Sequence, residues 1–307
     1  MTTNKQRVGW GAFPKAMWAA LQWRVMLIWI VLMALPTAIA ALPVGHALGA
    51  LLDHSVHSNA LAHKFDGLLM GDAIMSLMRH NAGLGGAYSA AFIVTLLLSP
   101  FLTSVVVTAV RSMRQATLGE LMHGGLHQYW RMLRLMLWSL IPYGIAFGVG
   151  NFASGMASAH AQTAVLQSVA DRGDLIAKIV LLALVVLAHA IMESSRAQFA
   201  ADESLRSATR AFGRGIGMLV RRPLATLGLY LGTSIVGYAL VVLVGMLRIR
   251  TDAVGVGGYI LAIALAQLIV VILAWQRTAR ISALTMVACG VPSRRRHGSG
   301  ATLAPAV

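Results

Sequence analysis

The feature that most restricts this chain is a series of long apolar runs without a single Asp, Glu, Lys or Arg. A helix rising ~1.5 Å per residue needs about 20 residues to cross a hydrocarbon core of ~30 Å. Five runs reach that length: Val25 to Leu52, Gly83 to Val110, Leu135 to Ala170, Pro223 to Leu247 and Ala253 to Gln276. The third is longer than one span needs, and its helix is expected to end near Ser158. A sixth run, Leu175 to Met192, carries Lys178 near one end. The stem of that lysine can stay in lipid while the ammonium reaches the interface. The expectation is an all-α polytopic bundle with six transmembrane helices, at approximately 25–52, 83–110, 135–158, 175–198, 223–247 and 253–276. Residues 1–290 then form one transmembrane domain, and 291–307 a disordered basic tail. Composition agrees: 11% of residues are charged, against about 25% in soluble domains, and the mean hydropathy is +0.73.

A net charge of +15 would suggest nucleic acid in a soluble protein, but its distribution along this chain is a topology signal. Nineteen of the 25 basic residues fall before span one, between spans two and three, between four and five, or after six. Six of the 10 acids fall on the other side. The positive-inside rule then places both termini in the cytoplasm of a bacterial cell with the spans in its cytoplasmic (inner) membrane. Trp10, Trp18, Trp23, Trp29, Trp130, Trp138 and Trp275 map to the same side, as expected for indoles at an interface. Val25 to Leu35 also has the look of a signal-peptide core, with Ala38-Ile39-Ala40 as a cleavage site. The continuation of the apolar run to Leu52 argues for a span instead.

Three segments on the basic side look alike: AFPKAMWAALQWRVMLIWIVLM from Ala12, LGELMHGGLHQYWRMLRLMLWS from Leu118 and SATRAFGRGIGMLVRRPLATLGLY from Ser207. Each has an amphipathic stretch, a basic step (Arg24, Arg134 or Arg222) and then an apolar run. This suggests a threefold unit of interfacial helix, inward span and returning span, although any polytopic protein places basic amphipathic helices before its spans. Gly144 and Gly148 on span three, and Gly228 and Gly232 on span five, have the spacing that lets two helix backbones approach. Close packing of spans three and five is therefore expected.

Few residues point to chemistry. His189 and Glu193 lie four apart near the basic end of span four, on one helix face, and suit an ion or proton path. The competing reading puts Glu193 at headgroup level, solvated. Arg210, Arg214, Arg221 and Arg222 are positioned to contact lipid headgroups. The first external loop gathers Asp53, His54, His57, His63 and Asp66, donor types that suit a divalent ion, yet the spacing matches no closed metal motif. A solvated loop has the same composition, and no metal ligand is assigned. Cys289 stands alone and reads as a small apolar residue. No GxxxxGK[ST], HExxH or GxSxG occurs, so neither a catalytic residue nor a cofactor is assigned and a non-enzymatic protein is expected.

The segments LHQYWRMLRLMLWSLIPY and MESSRAQFAADESLRSATRAFGRGIGMLVRRPLATLGLYL give the chain its family likeness. It resembles families of bacterial six-span membrane proteins that repeat an amphipathic cytoplasmic helix before each inward span. It is more loosely similar to the six-span permease subunits of ABC exporters, a likeness that implies a separate ATPase as partner. The functional expectation is a transport-associated or permease-like component of unspecified substrate. The alternative is a scaffold or assembly factor binding membrane lipids or other envelope proteins. No nucleic-acid partner is expected.

Overall fold

The computed structural model describes residues 12–52, 82–112, 115–163, 167–251 and 255–290, with positions 71 and 75. The expected basic tail and the His- and Asp-rich loop cluster lie outside the described residues. Among the described residues all regular structure is α-helical: α1 (Ala12–Ala19), α2 (Trp23–Leu52), α3 (Ala82–Arg111), α4 (Leu118–Trp138), α5 (Leu140–Thr163), α6 (Gln167–Ala201), α7 (Ala208–Arg221), α8 (Pro223–Ile249) and α9 (Gly255–Cys289). Six of the helical stretches are long and apolar enough to cross a membrane. Large apolar side chains stand exposed along them, including Leu42, Phe92, Phe152, Leu182, Leu243 and Tyr259. Such a surface is stable only against lipid. The chain is a multi-pass membrane helix bundle.

Local chemistry sets the boundaries. Thr117 caps α4 with a reciprocal pair of bonds: its hydroxyl accepts from Glu120 N–H at 3.2 Å and Glu120 Oε2 accepts from Thr117 N–H at 2.8 Å. Ser207 caps α7 by accepting from Arg210 N–H at 3.3 Å. The α4–α5 path is broken at Ser139, because Pro142 has no N–H to offer the carbonyl of Trp138. Pro223 opens α8 and forces Arg222 out of the helical region, at φ −140° and ψ 61°.

The helices form three units: α1–α2–α3, α4–α5–α6 and α7–α8–α9. In each, the inward span packs along the returning one, and the three returning helices α3, α6 and α9 touch one another. Every short helix lies on the returning helix of the unit before it: α4 on α3, α7 on α6 and, closing the ring, α1 on α9. The register repeats as well. Gly125 of α4 lies against Val105, and Gly215 of α7 against the backbone of Ser195. Gln128 Nε2 donates to Thr108 Oγ1 at 3.3 Å, and Gln198 Nε2 contacts Met218 Sδ at 3.5 Å, each across 20 residues. Ala16 of α1 is buried in one cluster with Leu284 and Val287 of α9.

Two expectations are corrected. Spans four and six do not end where their charge-free runs end. Helix α6 continues to Ala201 and α9 to Cys289, and the added part of α9 is among the most buried in the protein, with Ala279, Ile281, Ala283, Leu284 and Val287 inaccessible. Charge ended the apolar runs in the sequence, but these charges are paired inside the bundle. Spans three and five do not pack through their glycines. Gly144, Gly148 and Gly228 face open space, while Gly232 receives Phe13 of α1. The tight contacts are Gly150 against Leu181 and Gly237 against Gln276. Cys289 is exposed at the end of α9.

Candidate functional site

Where α3, α6 and α9 meet, the bundle interior is polar. Glu193 of α6 is its centre, with a side chain only 1% exposed. Its Oε1 accepts from Arg196 Nη1 at 2.6 Å and lies 3.3 Å from His189 Nε2. Its Oε2 lies 3.9 Å from Nε of Arg280, which reaches in from α9 with 6% exposure. Residues 189, 193 and 196 share one face because α6 remains helical through all three.

Arg280 is held on three sides. Its Nη1 donates to Ser234 Oγ at 3.1 Å, and its guanidinium lies over the Tyr230 ring at 5.5 Å. Tyr230 Oη hydrogen-bonds His189 Nδ1 at 2.9 Å. Gln276 Nε2 donates to the carbonyl of Ser234 at 3.1 Å. Arg277 faces the first unit: Nη2 donates to Thr103 Oγ1 at 2.6 Å, and the guanidinium stacks over Trp29 at 5.6 Å. The cluster thus ties α2, α3, α6, α8 and α9 together.

Three guanidiniums surround one carboxylate. Within this cluster Arg277 Nε, Arg280 Nε, Glu193 Oε2 and Trp29 Nε1 are buried without a hydrogen-bond partner. Among the described residues no group of three or more His, Cys, Asp or Glu could hold a metal ion. Tyr230 and Ser234 also form the inner end of a groove of about 660 Å³ along α8, walled by Ile235, Tyr238, Val242 and Met246 and closed on one side by Val186 of α6. Tyr230 therefore connects an apolar, outward-opening groove to His189 and, through it, to Glu193.

Of the residues expected from sequence, His189 and Glu193 are brought together, but Glu193 is buried and ion-paired instead of solvated at headgroup level. The four arginines expected at lipid headgroups divide. Arg214 Nη1 bonds Asp202 at 2.6 Å, and Arg222 Nη2 donates to the carbonyl of Gly290 at 2.9 Å. The side chains of Arg210 and Arg221 are exposed. Hydrogen bonds from Ser204 and Arg214 hold the Asp202 carboxyl below its ordinary 3.8. Sequence reasoning missed Arg196, Arg277, Arg280, Tyr230 and Ser234. It read the three arginines as loop or tail charges. The signal was present in ISALTMVA after Arg280, an apolar stretch that a solvated tail has no reason to carry.

No protein-family model, curated protein or solved structure matches this chain.

Proposed function

We propose that this protein is a transport-associated, permease-like component of a bacterial cytoplasmic membrane, with both termini in the cytoplasm, that accepts an anion at the Glu193 cluster. One observation carries the reading: Arg196, Arg277 and Arg280 share a single buried carboxylate, and two of their Nε groups have no acceptor. A structural ion pair needs one cation per anion. Each surplus charge removed from water costs several kcal/mol, and an anionic substrate offsets that cost. Tyr230 and His189 provide the link from the α8 groove to the cluster, and His189 can take or release a proton as the anion enters. The distribution of basic residues and the likeness to six-span bacterial families support the location.

The test is anion-dependent thermal stability of the purified full chain at constant ionic strength, across chloride, nitrate, phosphate and small carboxylates. A bound anion at about 100 times its Kd adds about 2.7 kcal/mol. The reading requires selective stabilisation by one class of anion that disappears in Arg280→Gln, followed by flux of that anion into proteoliposomes. Equal responses to every anion in wild type and variant would refute it.

A scaffold role is the second reading, and α7 favours it. This helix leaves Arg210, Arg221 and Val220 exposed on its outer side, beside the 89% exposed Leu224 of α8. Purification from gently solubilised membranes separates the two. A stoichiometric ATPase would support the permease reading, and envelope proteins without one would support the scaffold.

A further inference from the structure

The threefold plan gives each unit one arginine at the step from short helix to span, and two of the three have the same task. Arg24 Nη1 donates to the carbonyls of Ala116 at 2.9 Å and Gln115 at 3.3 Å, in the segment that follows α3. Arg222 Nη2 donates to the carbonyl of Gly290 at 2.9 Å, just after α9. Each arginine thus ties down the chain leaving its own unit's returning helix. In the second unit the corresponding residue is Arg134, and the corresponding segment is the one after α6. There the contact is not made. Arg134 has no hydrogen bond or ion pair with any described residue, and neither has Arg206, which stands in that segment.

Instead, the two arginines line an open cleft of about 630 Å³ between the α4–α5 bend and the start of α7. Ser207 completes its polar side, and Leu137, Trp138 and Ile141 form the opposite wall. The acids nearest in sequence are engaged elsewhere: Asp202 by Arg214 and Ser204, and Glu203 by Arg111 at 3.7 Å. The cleft therefore holds two cations with no protein anion to match them. Its apolar wall continues outward through the exposed Leu137, Leu140 and Ile141, side chains that belong among acyl chains in a membrane-spanning bundle.

We infer that this cleft binds an anionic phospholipid, with its phosphate between Arg134 and Arg206 and its glycerol and upper acyl chain against Leu137, Trp138 and Ile141. Two guanidiniums match a phosphate by charge and by forked donor geometry. A free phosphate ion would leave the apolar wall uncovered, whereas a phospholipid covers both sides. The site is separate from the Glu193 cluster and does not depend on the transport reading.

The test uses the full chain in detergent, titrated with phosphatidylglycerol or with phosphatidylcholine of the same acyl composition, and counts retained lipids by native mass spectrometry. The expected result is one tightly held phosphatidylglycerol, weakened about thirtyfold in the Arg134→Gln/Arg206→Gln double variant. The Arg210→Gln/Arg221→Gln pair, which removes the same charge from the outer face of α7, should retain it. Ile141→Asp leaves both guanidiniums in place and should also lose the lipid. Monodispersity and helical circular dichroism confirm that each variant is folded. Equal retention in the Arg134/Arg206 variant, or equal loss in the Arg210/Arg221 pair, would overturn the assignment. Displacement by millimolar inorganic phosphate, or unchanged binding in Ile141→Asp, would overturn the lipid as ligand and leave free phosphate in its place.

Discussion

Replacing Glu193 by Gln tests the central cluster most directly, because shape is kept and only the charge goes. The carboxylate lies 2.6 Å from Arg196 and 3.9 Å from Arg280. At an effective dielectric of ~20, the shorter pair alone represents about 6 kcal/mol of attraction. The Gln amide oxygen still accepts one charge-assisted hydrogen bond, which returns roughly 1.5–3 kcal/mol. Three guanidiniums then remain with no counter-charge. The net loss expected is about 3–5 kcal/mol, the usual cost of orphaning a buried charge, or a fall in Tm of about 10 °C for a chain of this size. The assay is thermal unfolding of the detergent-solubilised chain followed by tryptophan fluorescence, since Trp29 stacks on Arg277 within the cluster. A second effect has the opposite sign. With the carboxylate gone, the surplus positive charge grows, so an anion that stabilises wild type should stabilise Glu193→Gln by more and Arg280→Gln by less. A change below about 1 kcal/mol in Glu193→Gln would mean that the charges are hydrated and screened, and the argument for an anion site would fall with it.

Other predictions follow from packing and capping. A Cβ on Gly215 would lie 2.8 Å from the backbone N of Ser195, whereas Gly217 has open space around it. Gly215→Ala should therefore destabilise by about 1–3 kcal/mol, while Gly217→Ala gains up to about 1 kcal/mol from helix propensity; thermal melts of the two variants give the comparison. Thr117→Ala removes the α4 cap and should cost about 1 kcal/mol, with faster amide exchange in the first turn of that helix. Asp202 is held below 3.8 by Ser204 and Arg214, so its contribution is complete above that value and is lost as pH falls through the lowered one. Asp202→Asn should flatten the acid limb of the stability–pH curve below about pH 4 and leave stability at higher pH independent of that group.

The sequence alone determined the class of this protein. Uninterrupted apolar length is a one-dimensional property, and so are the basic steps before Val25, Leu135 and Pro223 and the likeness among the three amphipathic segments. Each can be counted along the chain because lipid and interface act on every helix separately. The pairing of His189 with Glu193 was legible for the same reason: it is a local spacing on one helix face. Tertiary structure decided the rest. Whether Gly144 or Gly150 meets a neighbouring helix depends on how α5 is rotated about its own axis, which sequence spacing leaves free. Whether Arg280 is a tail charge or the buried partner of Glu193 depends on α6 and α9 meeting at the centre of the ring. A charge signals solvent when read alone, because burying it costs several kcal/mol. Only the assembled bundle brings Glu193, Ser234 and Tyr230 from two other helices to offset that cost, and only the closed ring shows that Arg134 lacks the carbonyl partner its two counterparts have.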